Sequence, residues 1–443
     1  MTGSASDNNP PAHILELVER VGEAVADPRY EPLKEMWTRH NRLEKQPKIP
    51  VSLFLHGGYT NTWQELIPPD ELVSQEPFER AIELQLRQKL YRHEHIPDDD
   101  VLLPTVWVNA ARPQASAPES HALGDLAANV NPAFRQDSGI HETEDARLWG
   151  LGSRRKKTTE VAGAYKVDPV IECETDMRQL RHPPYEVDTG RTRIAVERAT
   201  ELVDGRLPIK IVTDELGASP SETVVSLMGI EAILYGVLDD PRFVHRMMDF
   251  VTDGYVRYHL QREASGLIDA EESWKSRIHY EVLSEDEDPA RLGQSWTYIS
   301  AQSLMGFSPA MFDEFLQPYH ARLATVLGNQ RGYFHGCENL TQKLSIIRNL
   351  PNLRRIHISP WTDLENAVDQ LGLDFVLETH GHPAETVLVH TPEQMRASLE
   401  RIVSIAGDSV IDINLSDIET VKGDPSVLTT WARIAQEVTT RHA

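Results

Sequence analysis

The apolar positions of this chain change period several times, and each change predicts an element. Residues 10–26, PPAHILELVERVGEAVA, put Ile14, Leu17, Val18 and Val21 on one face at helical spacing. The run IPVSLFLH at 49–56 is almost continuously apolar and predicts a buried strand. The helical period returns in QEPFERAIELQLRQKLYRHEH at 75–95, and VLLPTVWVNA at 101–110 predicts the next strand. Further on, LPIKIVT at 207–213 is strand-like and SETVVSLMGIEAILYGVL at 221–238 is helical. A helix start follows, with Asp239 or Asp240 as N-cap, Pro241 in the first turn, and a run to near Gly266. SWTYISAQ at 295–302 predicts a strand, and Ser308-Pro309 opens another helix.

The last third has a regular beat. RGYFHG, LRRIHIS, LDFVLETHG and SVIDINL are short strand-like runs. Between them lie the helix-like NLTQKLSIIRNL, WTDLENAVDQLG and TPEQMRASLERIVSIAG, and a last helix, DPSVLTTWARIAQEVTTRHA, ends the sequence. Strands alternating with helices imply parallel βα units. Roughly eight strands are expected over the chain, which fits a closed (β/α)8 TIM barrel. An open doubly wound sheet is the alternative; against it, HGGYTN after the first strand does not match the Gly-rich dinucleotide fingerprint.

Two stretches break the beat. Residues 1–9 are expected to be a disordered tail. Residues 111–205, with ARPQASAP, NPAFRQDSG and RHPPYEVDTG, predict a long irregular insertion with helix near 191–204, placed to act as a lid over the barrel mouth. The rest, 10–443, is expected to form one barrel domain.

Composition narrows the function classes. The 443 residues hold 44 basic and 68 acidic side chains, a formal charge of −24, which argues against nucleic-acid binding. No run of 18 or more apolar residues is present, so no membrane span is expected. The polar start MTGSASDNNPPAH lacks a signal core, and the two cysteines, Cys173 and Cys337, make no disulfide framework. A reduced cytoplasmic setting is the simpler reading.

Chemistry gathers at RGYFHGCENLTQKL, residues 331–344. Along a strand, residues i and i+2 point the same way, so His335 and Cys337 can face one point. Imidazole and thiolate together suit zinc. In such barrels the site lies at the carboxyl ends of the strands. At that level the sequence also places His357, Ser359, Glu378, His380, Asp412, Asn414 and Asp417. Cys173, in VIECETD, reads as a structural or surface thiol.

From about residue 207 onward the chain resembles the uroporphyrinogen decarboxylase superfamily. The likeness rests on GIEAILYGVLDDPRFVHRMMDFVTDGYVRYH, GFSPAMFDEFLQPYHARL, YFHGCENLTQKLSIIRNLPNLRRIHISPWTDLENAVDQLG and DINLSDIETVKGDP. Upstream it is looser, through HIPDDDVLLPTVWV. The resemblance implies a (β/α)8 fold and points to the branch of zinc-dependent, corrinoid-linked methyltransferases. The arginine-rich motif of true decarboxylases is absent around VSLFLHGGYTNTW. Asp417 or Ile418 stands where their closing loop has a histidine, which points away from heme-pathway decarboxylation.

On this likeness His335 and Cys337 hold zinc. The relatives' second cysteine is missing from the closing loop, so Asp417 or Glu419 would supply an oxygen ligand. Glu419 is taken as the ligand. Asp417, Tyr298 and His380 are taken as catalytic, with Tyr298 and His380 as proton donors. The expected activity moves a methyl group between a small O-, N- or S-methyl compound and a thiol or a corrinoid carried on a separate protein. A homodimer is expected from the size of the barrel. The alternative is a metal-free decarboxylase or lyase that grips a small carboxylated substrate through Arg354 or Arg355 and histidines. A non-enzymatic binding protein ranks last.

Overall fold

In a computed structural model of the chain, the described residues are 10–55, 61–113, 148–151, 154–156, 166–213, 215–216, 219–271 and 280–441. The 1–9 tail lies outside them, as do 114–147 and 157–165 of the expected insertion.

Eight short strands pair in parallel ladders. They are β1 (Val51–Leu53), β2 (Val106–Asn109), β3 (Ile209–Val212), β4 (Thr297–Ser300), β5 (Gly332–His335), β6 (Leu353–Ile358), β7 (Val376–His380) and β8 (Ile411–Leu415). Six form one sheet in the order β1-β8-β7-β6-β5-β4, and β2 pairs with β3 in a second. An antiparallel ribbon, Arg154–Lys156 with Lys166–Asp168, stands apart. The fold is thus α/β with a mostly parallel sheet. Among the described residues no ladder joins β1 to β2 or β3 to β4, so no closed ladder is found.

The β1 edge has a physical reason to stop pairing. The outward N–H groups of Val51 and Leu53 donate to the carboxylates of Asp99 and Asp98, each at 2.8 Å. Lys48 and Arg92 hold those carboxylates in turn. Satisfied edge donors do not recruit another strand. On the other seam, the Ser300 carbonyl at the end of β4 accepts from the hydroxyls of Ser219 and Ser221, which begin the helix after β3.

The helices follow the predicted pattern with local breaks. Asp240, not Asp239, caps Pro241–Ala264, accepting from the Phe243 N–H at 3.1 Å. The helix expected over 221–238 is two, Pro220–Met228 and Ile230–Asp239, bent by 97°. Gly229 makes the corner at φ +79°, a conformation that costs other residues a Cβ clash. Among the described residues no single helix is long and apolar enough to cross a membrane. The Ser308-Pro309 start is as predicted, but the helix divides into Pro309–Phe315 and Gln317–Val326 at the second proline, Pro318. The helix Tyr30–Asn41 was not predicted, nor were the shorter Asn61–Leu66, Glu174–Met177 and Pro383–Leu388.

The two faces of the large sheet differ in kind. Ile299, Phe334, Ile356, Ile358, Leu377 and Ile411 belong to one buried apolar cluster, and Val51, Leu53, Ile413 and Leu415 to another. Helices cover that face. The alternate positions are Tyr298 and Ser300, Tyr333 and His335, Arg355 and His357, Glu378 and His380, Asp412 and Asn414. A barrel-type interior is ordinarily filled with branched apolar side chains. This face of the sheet is polar instead, and His40 and Asn41 of the Tyr30–Asn41 helix bond to Asp412 and Arg355 on it.

His320, fully buried in the helix behind β5, shows the cost of an apolar setting. Its ring lies between those of Phe312 and Phe334, 6.1 and 6.2 Å away between centres. Burial pushes its pKa down to about 3. The folded state therefore keeps His320 neutral while the unfolded chain takes up a proton near pH 6.5. Stability falls as pH drops through about 6.5, by roughly 1.4 kcal/mol per unit, until the folded state also protonates. Urea unfolding at pH 7 and pH 5 should show this: His320→Leu is expected to remove about 2 kcal/mol of the acid-induced loss. Equal pH dependence in both proteins would contradict the assignment.

Candidate metal centre

His335 ends β5, and Cys337 follows after a single glycine. A Cβ on Gly336 would come within 2.9 Å of Leu340 Cδ1 and 3.0 Å of Glu338 Oε2, so a larger residue there would have to push these two side chains aside. The single-residue link brings His335 Nε2 to 3.1 Å from Cys337 Sγ. The side chains converge as the i, i+2 spacing predicts. From the next strand, His357 stacks on His335 with ring centres 4.3 Å apart. One ligand atom each from His335, Cys337 and His357 lies within 4.8 Å of the other two. Both histidines are about 1% exposed, and the cysteine is half-buried.

This set fits a metal. Two imidazole nitrogens and one sulfur are donors that zinc prefers, and three protein ligands leave the fourth tetrahedral position open. The lone cysteine adds selectivity for a soft or borderline ion. Gln302 approaches the sulfur from the end of β4, its Nε2 at 3.5 Å.

Beneath the cluster lies a buried polar network. Tyr333, two residues before His335, has its hydroxyl 2.9 Å from His335 Nδ1 and donates to Glu378 Oε1 at 2.7 Å. His380 Nε2 stands 2.7 Å from the same oxygen. The other Glu378 oxygen accepts from Arg355 Nη2 at 2.9 Å, and that nitrogen also donates to Asp412 at 2.8 Å. Arg355 Nη1 donates to Asn41, and His40 Nε2 stands 2.9 Å from Asp412. Burial alone would push the Glu378 carboxyl up, but the His380 hydrogen bond and the Arg355 charge hold it well below the usual range. Burial likewise pulls Arg355 down, and the charges of Asp412 and Glu378 outweigh it. His40 ends below its usual value because burial outweighs its Asp412 bond.

The predicted residues fall into three groups. His335 and Cys337 meet. Tyr298 stacks on His335, ring centres 5.2 Å apart at 27°, and so lines the same site. His380 packs against His357 at 3.9 Å. Its Nδ1 lies 3.0 Å from the Ser416 hydroxyl, which lies 3.3 Å from Asp417 Oδ2, so His380 and Asp417 are linked through Ser416. Glu419 is exposed and outside the metal-ligating group.

Of the two arginines weighed for gripping an acidic substrate, Arg355 is fully buried and committed to Asn41, Glu378 and Asp412. Arg354 donates to Gln330 near the start of β5.

This architecture has a solved counterpart. A methyltransferase from Methanosarcina mazei is similar in fold, with a TM-score of 0.50, covering 91% of this chain and 98% of that one. The two sequences are 12% identical, so the likeness is one of fold. No protein-family model and no curated protein sequence matches the chain.

Three network members had no sequence signal. His40 and Asn41 sit on a mostly polar helix that no apolar stripe marks. Only the strand alternation that marks His335 could have placed Tyr333 beneath it.

Proposed function

We propose that this chain is a zinc-dependent methyltransferase built on a barrel of the uroporphyrinogen decarboxylase type. It moves a methyl group between a small O-, N- or S-methyl compound and a thiol or a corrinoid protein. The observation that carries the reading is the convergence of His335, Cys337 and His357 at the carboxyl ends of β5 and β6. The fold likeness to a protein named as a methyltransferase supports the same class of reaction. The eight parallel strands close into a barrel on this reading. Carboxylates cover the β1 edge, and serine hydroxyls bridge the β3–β4 seam, where ladders are missing.

His335, Cys337 and His357 would hold the ion, which when bound supplies Lewis acidity and stabilises sulfur as thiolate. In the transfer, the bond from the methyl carbon to its heteroatom breaks and the bond to the acceptor sulfur or cobalt forms. The departing heteroatom keeps the electron pair and needs a proton. Tyr298, stacked over His335, would supply it, and His380, whose two nitrogens face Glu378 and Ser416, would hold the polar network behind it. His380 Nδ1 is linked to Asp417 through the Ser416 hydroxyl. For the carboxy-lyase alternative, which relied on Arg354 or Arg355 and histidines, Arg355 is committed inside the network and Arg354 donates to Gln330, so neither arginine supports it.

The test is methyl transfer from methanol, methylamines, dimethyl sulfide and a methoxyarene to free cob(I)alamin and to a small thiol. Zinc-loaded protein is expected to turn over at least one pairing, and Cys337→Ala to lose it. Equal rates for both proteins in every pairing would remove the reading.

A further inference from the structure

His335 has two ring nitrogens, and only one can present a lone pair beside Cys337. Which one does so depends on hydrogens that the neighbouring groups dictate. Glu378 is the end of the chain. One oxygen faces the Arg355 guanidinium at 2.9 Å, so the group stands as a carboxylate and can only accept. The Tyr333 hydroxyl has a single hydrogen and places it on Glu378 Oε1 at 2.7 Å. Its oxygen is then left to accept, and the group 2.9 Å away is His335 Nδ1. Nδ1 must carry the proton. In the neutral ring Nε2, 3.1 Å from Cys337 Sγ, then keeps its lone pair and can accept from the thiol.

We propose that Tyr333 and Glu378 are positioning residues that lock His335 as its Nδ1–H tautomer, so that Nε2 is ready for a metal ion before one arrives. The proposal rests on the metal reading of His335 and Cys337, but the lock itself is a property of the metal-free chain. The three groups are buried: Tyr333 and Glu378 are both 0% exposed, and the bonds link β5 to β7. Glu378 also takes His380 Nε2 on the same oxygen, so one carboxylate orients imidazoles on both sides of His357. A ligand histidine whose second nitrogen is anchored this way binds metal more tightly, and losing such an anchor typically costs about 10–100-fold in affinity.

The test uses full-length protein labelled with 15N in its histidine rings, first without metal and then titrated with cobalt(II). In the wild type, two-bond proton–nitrogen correlations are expected to show His335 protonated at Nδ1. Tyr333→Phe removes one oxygen and keeps the ring. It is expected to populate the Nε2–H form and to weaken cobalt binding about 10–100-fold, with an unchanged far-ultraviolet circular dichroism spectrum. Glu378→Gln gives a second readout, since its amide can donate to Tyr333 and turn the tyrosine hydrogen toward His335. That variant should shift the tautomer the same way. A wild-type His335 protonated at Nε2, or a Tyr333→Phe protein with wild-type tautomer and cobalt affinity, would overturn the lock. A wild type locked at Nδ1 that binds no metal would leave the lock standing and remove the metal reading instead.

Discussion

Arg355→Met is expected to destabilise the protein by about 3–5 kcal/mol. The guanidinium is 0% exposed and is the cation facing Glu378 and Asp412, themselves buried at 0%. Methionine fills the space of the stem but leaves two carboxylates inside a low-dielectric interior without their countercharge. Each must then ionise at a high desolvation cost or take up a proton it does not carry in the native network. The loss should appear as a lower urea midpoint at pH 7. Adding Glu378→Gln and Asp412→Asn to the same chain removes the stranded charges and is expected to recover a large part of it. Replacing a whole buried ionic cluster is often nearly neutral, whereas removing one partner is not. A loss under about 1 kcal/mol for Arg355→Met alone would mean that the network does not hold the interior together.

The second large effect separates two candidates for the third ligand. His357→Ala is expected to weaken zinc binding by more than the 10–100-fold typical of losing an outer hydrogen-bond partner, because a donor atom itself disappears. Glu419→Gln is expected to leave zinc affinity within twofold of wild type. Its side chain is exposed and outside the cluster. Competition with a chromogenic chelator measures both. The reverse order of effects would return the third ligand to the closing loop.

Much of the fold was legible because its strands are short apolar runs separated by capped helices. Asp240, Ser308 and Thr391 stand at the helix starts that their side chains cap. The alternation within a strand also placed His335 beside Cys337. What it could not give was register. Between β5 and β6, Gly332 pairs with Leu353 but Tyr333 pairs with Arg355, a one-residue slip. Without that irregularity, Arg354 would stand opposite Tyr333 and every β6 side chain would exchange faces relative to β5. With it, Arg355 turns inward and His357 comes level with His335. Nothing in LRRIHIS announces the slip, so two adjacent arginines read alike and His357 reads as one polar residue among several.

The Tyr30–Asn41 helix was missed for a different reason. Its buried residues, Tyr30, Trp37, Thr38, His40 and Asn41, are mostly polar, so no apolar stripe marks it. Its last turn, His40 and Asn41, meets the charges of Asp412 and Arg355, while Tyr30 and Leu33 join an apolar cluster at the other end.

The claim at the centre of this account is that His335, Cys337 and His357 share one ion. X-ray absorption at the zinc edge, on protein loaded with one equivalent, tests it most directly. The account predicts a first shell with a single sulfur near about 2.3 Å and nitrogen donors near about 2.0–2.1 Å, the sulfur vanishing in Cys337→Ala and the nitrogen count dropping by one in His357→Ala. A shell of oxygen alone, or an unchanged shell in both variants, would contradict it.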